Sequence, residues 1–173
     1  VTAGAGVTLD ALITYAVDNE LWGLENLSGI PGSVGAVPIQ NVGAYGVEAK
    51  DVVFEVEAYD THAHECVTLS AHECMFDYRD SVFKHVEGKH LIVISVTFKL
   101  TRVPHPLISY KDLATYFETN TNPTLEDIRA AVLEIRRGKF PDWNILGTAG
   151  SFFKNPIIPK AEYDALKIRF PEL

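Results

Sequence analysis

Gly23-Leu24-Glu25-Asn26-Leu27-Ser28-Gly29-Ile30-Pro31-Gly32-Ser33-Val34-Gly35-Ala36-Val37-Pro38-Ile39-Gln40-Asn41-Val42-Gly43-Ala44-Tyr45-Gly46 decides the fold, and this stretch holds six of the chain's twelve glycines. Glycine concentrates where the backbone takes φ > 0 or where something lies against bare peptide, and Pro31 and Pro38 stiffen the turns between those points. The apolar members Ile30, Val34, Val37, Ile39 and Val42 rule out a solvated linker. The polar ones (Ser28, Ser33, Gln40, Asn41, Tyr45) hydrogen-bond and carry no charge. A glycine-lined wall with a few neutral donors and acceptors suits a large flat ligand better than a highly charged one.

The surrounding 173 residues are long enough for one domain with a real core and a fraction of a second. Hydrophobic residues make up 47% and charged residues 22%, which is ordinary globular composition. A net charge of -8 argues against a nucleic-acid or anionic-membrane surface. No apolar run approaches the ~20 residues that span a bilayer. Cys66 and Cys74 are too few for a disulfide scaffold and fit a reducing cytosol. The chain starts at Val1 inside a strand and stops just after a helix-like segment, so it reads as a piece of a longer protein.

Val1 to Gly6 reads as a short strand entering a tight turn. Gly4-Ala5-Gly6 is no dinucleotide fingerprint, because the third glycine would fall at Leu9. Leu9, Leu12, Ile13, Ala16 and Val17 recur at helical spacing behind Thr8 as cap. Such a helix start can hold a phosphate, and plain packing explains it equally well. Phe54, Val56 and Ala58 alternate with Val53, Glu55 and Glu57, giving a strand over 52–59. A turn and a second strand follow over 61–69, and His90 to Leu100 forms the clearest strand, with Ile92, Ile94, Val96, Phe98 and Leu100 on one face. Pro104 to Asn122 reads as mostly loop. Thr124 caps a helix bearing Leu125, Ile128, Val132 and Ile135 on one face, with Arg136 and Arg137 in its last turn and Gly138 as its stop.

Three further motifs carry candidate chemistry. Ala63-His64-Glu65-Cys66 recurs as Ala71-His72-Glu73-Cys74, which invites a zinc reading. Neither half has a C-x-x-C pair, Ser70-x-x-Glu73 is more simply a capping box opening a short helix, and no metal is expected. Phe76-Asp77-Tyr78-Arg79-Asp80-Ser81-Val82-Phe83-Lys84 is a polar cluster framed by aromatics. Gly147-Thr148-Ala149-Gly150-Ser151-Phe152-Phe153-Lys154-Asn155-Pro156 sets a hydroxyl between glycine and paired aromatics. It is not a nucleophile elbow, since Phe153 stands where G-x-S-x-G needs glycine, and no His lies near it to activate the serine.

Together these segments resemble the UDP-N-acetylenolpyruvoylglucosamine reductase family of bacterial cell-wall synthesis, over nearly the whole chain. The resemblance implies an α+β fold, the FAD-binding domain of the vanillyl-alcohol-oxidase/p-cresol-methylhydroxylase type, over 1–140, and the start of a C-terminal α+β substrate domain over 141–173. It implies a cytoplasmic enzyme in which NADPH reduces FAD and the flavin reduces the enolpyruvyl group of UDP-N-acetylglucosamine enolpyruvate in peptidoglycan precursor synthesis; the sequence leaves the oligomeric state open, with a monomer expected. By the same resemblance Ser151 is the proton donor and Arg79 the electrostatic stabiliser. Ile30, Pro31, Gly32, Ser33, Gly35, Gln40, Asn41, Gly43, Ala44, Tyr45 and Gly46 hold the flavin, while Tyr45, Tyr110, Arg136, Lys139 and Asn155 hold the substrate. The family has a further glycine-rich phosphate loop before this region and a catalytic Glu after it, so the 173 residues alone are expected to bind FAD weakly and not turn over. The alternatives are another FAD oxidoreductase of the superfamily and a non-catalytic binding domain.

Overall fold

The computed structural model of the chain describes residues 1–142, 145–147 and 152–171. Its contacts divide into two units, Val1–Asp142 and Trp143–Leu173. The first carries a four-stranded antiparallel sheet in the order β1-β6-β4-β5, built from β1 (Thr2–Gly4), β4 (Val53–Asp60), β5 (Glu65–Ser70) and β6 (Leu91–Phe98). A separate two-stranded hairpin, β2 (Gly43–Ala44) with β3 (Val47–Glu48), ends the glycine stretch.

Three helices belong to this unit: α1 (Leu9–Asp18), α2 (Lys111–Tyr116) and α3 (Leu125–Lys139). Thr8 caps α1 by accepting from the Ala11 N–H, and the buried residues are the five that the periodicity marks: Leu9, Leu12, Ile13, Ala16 and Val17. Of the donors at the start of α1, the Leu9 N–H goes to the Gly32 carbonyl and the Ala11 N–H to Thr8, so internal packing accounts for that end. Thr124 and Asp127 form a capping box on α3, which buries Leu125, Ile128, Ala131 and Val132. Both α1 and α3 pack against the 3-10 turn Glu25–Leu27 of the glycine stretch, and the turn Val34–Ala36 packs against β1 and β6. The glycine stretch therefore lies between the helices and the sheet, and Leu24, Leu27, Val34, Val37, Val42, Tyr45 and Val47 join one core with Val56, Val96 and Phe98.

The sheet departs from strict alternation at two points. Val53 pairs with Phe98 and Glu55 with Thr97, which leaves Phe54 as an extra residue; Val53 is buried and Phe54 is 56% exposed. Glu57 pairs with Ser95 and Ala58 with Val93, which leaves Ile94 over on the opposite strand. Beyond that bulge the inward positions become Val93 and Leu91, and Ile92 and Ile94 face out. Each extra residue reverses the parity of its strand, so the expectation that Phe54, Ile92 and Ile94 share the core face with Val56 and Val96 is corrected.

Three other expectations change. Within the expected loop, Lys111–Tyr116 is helical, because Leu113 and Phe117, one turn apart, are both buried. Gly138 does not stop α3, which continues to Lys139. Phe140 is extended (φ -123, ψ 141), the conformation imposed by the following Pro141. Ser70 and Glu73 exchange the capping-box hydrogen bonds, but they close a turn and no helix follows. In the second unit α4 (Lys160–Arg169) buries no residue. No helix among the described residues is long and apolar enough to cross a membrane.

Candidate functional site

The segment Asp77 to Ser81 folds back on the end of the glycine stretch. The Asn41 Nδ2 donates to the Asp77 carbonyl at 2.9 Å, the Arg79 guanidinium donates to the Gly43 and Asn41 carbonyls, and the Ser81 Oγ donates to the Ile39 carbonyl at 2.6 Å. Asn41 is fully buried; its Nδ2 also donates to Glu48, and its Oδ1 accepts from the Lys50 N–H. Gly43 is glycine for a steric reason. A Cβ there would stand 2.7 Å from the Arg79 Nη1 and 2.9 Å from Glu48, so any side chain displaces the guanidinium. Arg79 itself sits at φ 53, a left-handed conformation that costs about 1 kcal/mol or more in a non-glycine residue and persists where the surroundings enforce it. Two bonds to carbonyls leave the remaining guanidinium N–H groups available to an anion. The Arg79 guanidinium lies 5.4 Å from the Tyr78 ring centroid.

Two residues along the same hairpin lies a second cluster. Tyr45 and Tyr110 meet edge to face with ring centroids 5.5 Å apart. The Tyr45 carbonyl accepts from the buried Asn26 Nδ2, which also reaches the Leu107 carbonyl. Burial pushes the Tyr45 phenol above its usual pKa, while Arg136 and Lys139 pull in the other direction. Lys139 donates to Asp112 at 2.6 Å, which holds the ammonium above its usual pKa, and Arg136 donates to the Gly29 carbonyl and stacks on Phe140. Thus α2, α3 and the β2–β3 hairpin converge two phenols and two cations, a donor set suited to a phosphorylated ligand.

Among the residues expected to hold a cofactor, Pro31, Gly32, Gln40 and Gly46 are exposed, Ile30, Ser33, Gly35, Gly43 and Ala44 are half-buried, and Asn41 and Tyr45 are buried. Asn41 thereby acts as a structural clamp. Of the residues expected to bind substrate, Tyr45, Tyr110, Arg136 and Lys139 come together, and Arg79, expected as the electrostatic stabiliser, is brought to the same hairpin. Asn155 is exposed and belongs to the second unit. Ser151 lies outside the described residues.

Sequence reading missed a clamp at the other end of the stretch. Arg129 donates to both carboxylate oxygens of Asp10, at 2.8 and 2.9 Å, and also to Ser28 and Thr14, while the Gly29 N–H donates to Asp10. The Arg129 guanidinium holds the Asp10 carboxyl below the usual carboxylate range. Separated by 119 residues, the pair has no local signature. The buried Glu25 was missed as well. It accepts from the Gly23 N–H at 2.7 Å, and burial pushes its carboxyl above the usual range. Neither half of the His/Cys repeat contributes to the group of metal-ligating side chains found among the described residues, which is Asp60, His62 and His90.

Residues 1–69 match the family described as an FAD binding domain. The whole chain is 46% identical to a UDP-N-acetylenolpyruvoylglucosamine reductase of Polynucleobacter asymbioticus, covering 50% of it, and 50% identical to one of Ralstonia nicotianae, covering 51%. The chain thus spans about half the length of the curated relatives it matches. The crystal structure of the reductase from Thermus caldophilus superposes on 90% of the chain and 48% of its own, with a TM-score of 0.64 and 29% identity. The fold is that of an α+β FAD-binding domain.

Proposed function

We infer that the chain is a segment of a UDP-N-acetylenolpyruvoylglucosamine reductase, with residues 1–140 in its flavin domain and 141–173 opening its substrate domain. In the whole enzyme FAD, reduced by NADPH, supplies the hydride chemistry for the enolpyruvyl double bond of UDP-N-acetylglucosamine enolpyruvate. The residues present fit a flat ring. Gly32 is exposed at φ +127, and no atom lies within 4 Å of where its Cβ would stand, so bare peptide is open to a ligand there. Ile30, Pro31, Ser33 and Gly35 flank it, and Gln40, Asn41, Gly43, Ala44, Tyr45 and Gly46 supply the second edge.

The observation that carries the reading is the fixing of Arg79 on the Gly43 and Asn41 carbonyls, next to the Tyr45 cluster. A cation held there before substrate arrives needs no reorganisation when negative charge develops on the substrate carboxylate. Tyr45, Tyr110, Arg136, Lys139 and Asn155 bind the substrate, with Tyr110, Lys139 and Asn155 on its nucleotide-sugar diphosphate, and the Ser151 hydroxyl delivers the proton to carbon. The acidic surface takes no nucleic acid, and the enzyme works as a cytoplasmic monomer.

The test is anaerobic reduction of the full-length protein by NADPH, followed at the flavin absorbance, with and without the enolpyruvyl nucleotide sugar. Flavin that is reduced and then reoxidised only by that substrate supports the reading. Reduction without substrate turnover assigns the chain to another flavin oxidoreductase, and absence of flavin to a binding domain. Replacing Ser151 by Ala is expected to slow reoxidation ~10²–10⁴-fold, the usual cost of losing a positioned proton donor, with reduction by NADPH unchanged.

A further inference from the structure

We propose that Asp60, His62 and His90 form a surface binding site for a divalent transition-metal ion of the zinc class, independent of the flavin site. Asp60 ends β4, His62 lies in the turn that leads to β5, and His90 immediately precedes β6. One ligand atom from each can be chosen so that all three lie within 4.8 Å of one another. Three ligands at ~2.0–2.2 Å from a shared zinc stand closer together than that, so modest side-chain rotation closes the site around an ion.

The turn is organised as such a site requires. Asp60 Oδ1 accepts from the His62 and Ala63 N–H groups at 2.7 and 2.9 Å, which fixes the carboxylate and turns Oδ2 toward His90 Nε2, 3.4 Å away. The Thr61 N–H and Oγ1 both donate to the His90 carbonyl, at 3.2 and 2.8 Å, which ties the turn to the start of β6. Outer hydrogen bonds that orient first ligands in this way are the usual support of a protein metal centre. Asp60 and His90 are about one-fifth exposed, and His62, stacked on His90 with centroids 4.4 Å apart, is open to solvent, so the ion has both a partly desolvated seat and an entry path. Two imidazoles with one carboxylate select zinc, copper or nickel over magnesium or calcium, and three protein ligands leave a fourth position for water. Without an ion the same residues make a weak His90–Asp60 pair and a ring stack, which is the alternative to be excluded.

The experiment is calorimetric titration of zinc chloride into the chain and into the full-length protein, with chelator-treated samples. Saturable binding of one equivalent in the micromolar range is expected, together with a thermal midpoint that rises with zinc. His62→Ala, His90→Gln and Asp60→Asn should each weaken binding at least ~10-fold, since losing a ligand costs no less than losing an outer-shell partner. His72→Ala, beyond the far end of β5, and Cys66→Ser, which pairs with Tyr59 beside the cluster but is not one of its ligands, should leave it unchanged. His62 is exposed and His62→Ala leaves the backbone bonds to Asp60 in place, so that variant keeps the test open if His90→Gln fails to fold. Binding that survives His62→Ala, binding abolished by Cys66→Ser, or no saturable heat at millimolar zinc would each overturn the assignment.

Discussion

The β4–β6 pair is held by an unbroken run of backbone partners on either side of two bulges and by an apolar inner face, whereas Gly23 to Gly46 has almost no ladder and is held by side chains that reach it from afar. Asp10, Arg129 and Arg136 grip the Ser28–Gly29 end, and Arg79, Ser81 and the stretch's own Asn41 grip the Ile39–Gly43 end. Irregular backbone inside a core must find partners for its N–H and C=O groups one at a time, so this region spends long polar side chains where the sheet needs only Val and Phe. The difference predicts which chemistry of substitution each region tolerates.

The largest effect is expected in the sheet from loss of volume. Phe98, 1% exposed, is among the largest fully buried side chains, and Phe98→Ala should cost about 3–5 kcal/mol, read as the denaturation midpoint of the full-length protein. Phe98→Leu should recover most of it, because the sheet asks for shape and not for a specific atom. The glycine stretch should behave oppositely. Asn41→Asp keeps the volume but turns a donor into an acceptor facing the Glu48 carboxylate and the Asp77 carbonyl, and about 2–4 kcal/mol should be lost. An Asn41→Asp protein as stable as the parent would mean that this loop is held by packing after all.

The two regions also differed in how readable they were. Helices α1 and α3 announce themselves through Thr8 and Thr124 and a 3.6-residue period, because the forces that start them are local. The strands were legible as strands but not in their facing. Nothing in Phe54 or Ile94 marks an extra residue, since a bulge is set by the partner strand's register. In the candidate site the identities of Arg79 and of the glycines came from motif likeness, while the reason for Gly43 became visible only once Arg79 was seen 2.7 Å from its missing Cβ. Helix α2 and the Asp10–Arg129 clamp escaped because Tyr110 makes no side-chain cap and the clamp's members meet only after folding.

Removing that clamp gives an effect of middle size with a characteristic pH dependence. In Arg129→Met the Asp10 carboxylate keeps the Gly29 N–H and some solvent, so the loss at neutral pH should be about 2 kcal/mol, below the 3–5 of a fully buried broken pair. Asp10 has a folded pKa below its unfolded value of about 3.9. Its contribution is therefore complete above that value and disappears as pH falls through the folded pKa. Parent and variant should draw closer in acid, and a gap that stays constant down to that range would show that Arg129 acts through its stem and its bonds to Ser28 and Thr14 and not through the Asp10 charge.

The smallest effect should have the opposite sign and comes from Glu25 in the same stretch. Burial raises its folded pKa above the unfolded value of about 4.3, so the unfolded chain releases the proton first as pH rises. Below the unfolded value both states hold the proton and the group costs nothing. Between the two values the native state progressively loses ground, and above the folded value the penalty is constant. Glu25→Gln removes the ionisation and keeps an amide oxygen for the Gly23 N–H. The variant should match the parent near pH 4 and exceed it at pH 8 by less than about 1 kcal/mol, since the charged acceptor's stronger bond to Gly23 is given up at the same time. Asp10 and Glu25, both bonded to backbone N–H groups of one loop, then pull its acid stability in opposite directions. The difference between them is that one carboxylate has a guanidinium beside it and the other has mainly backbone N–H groups.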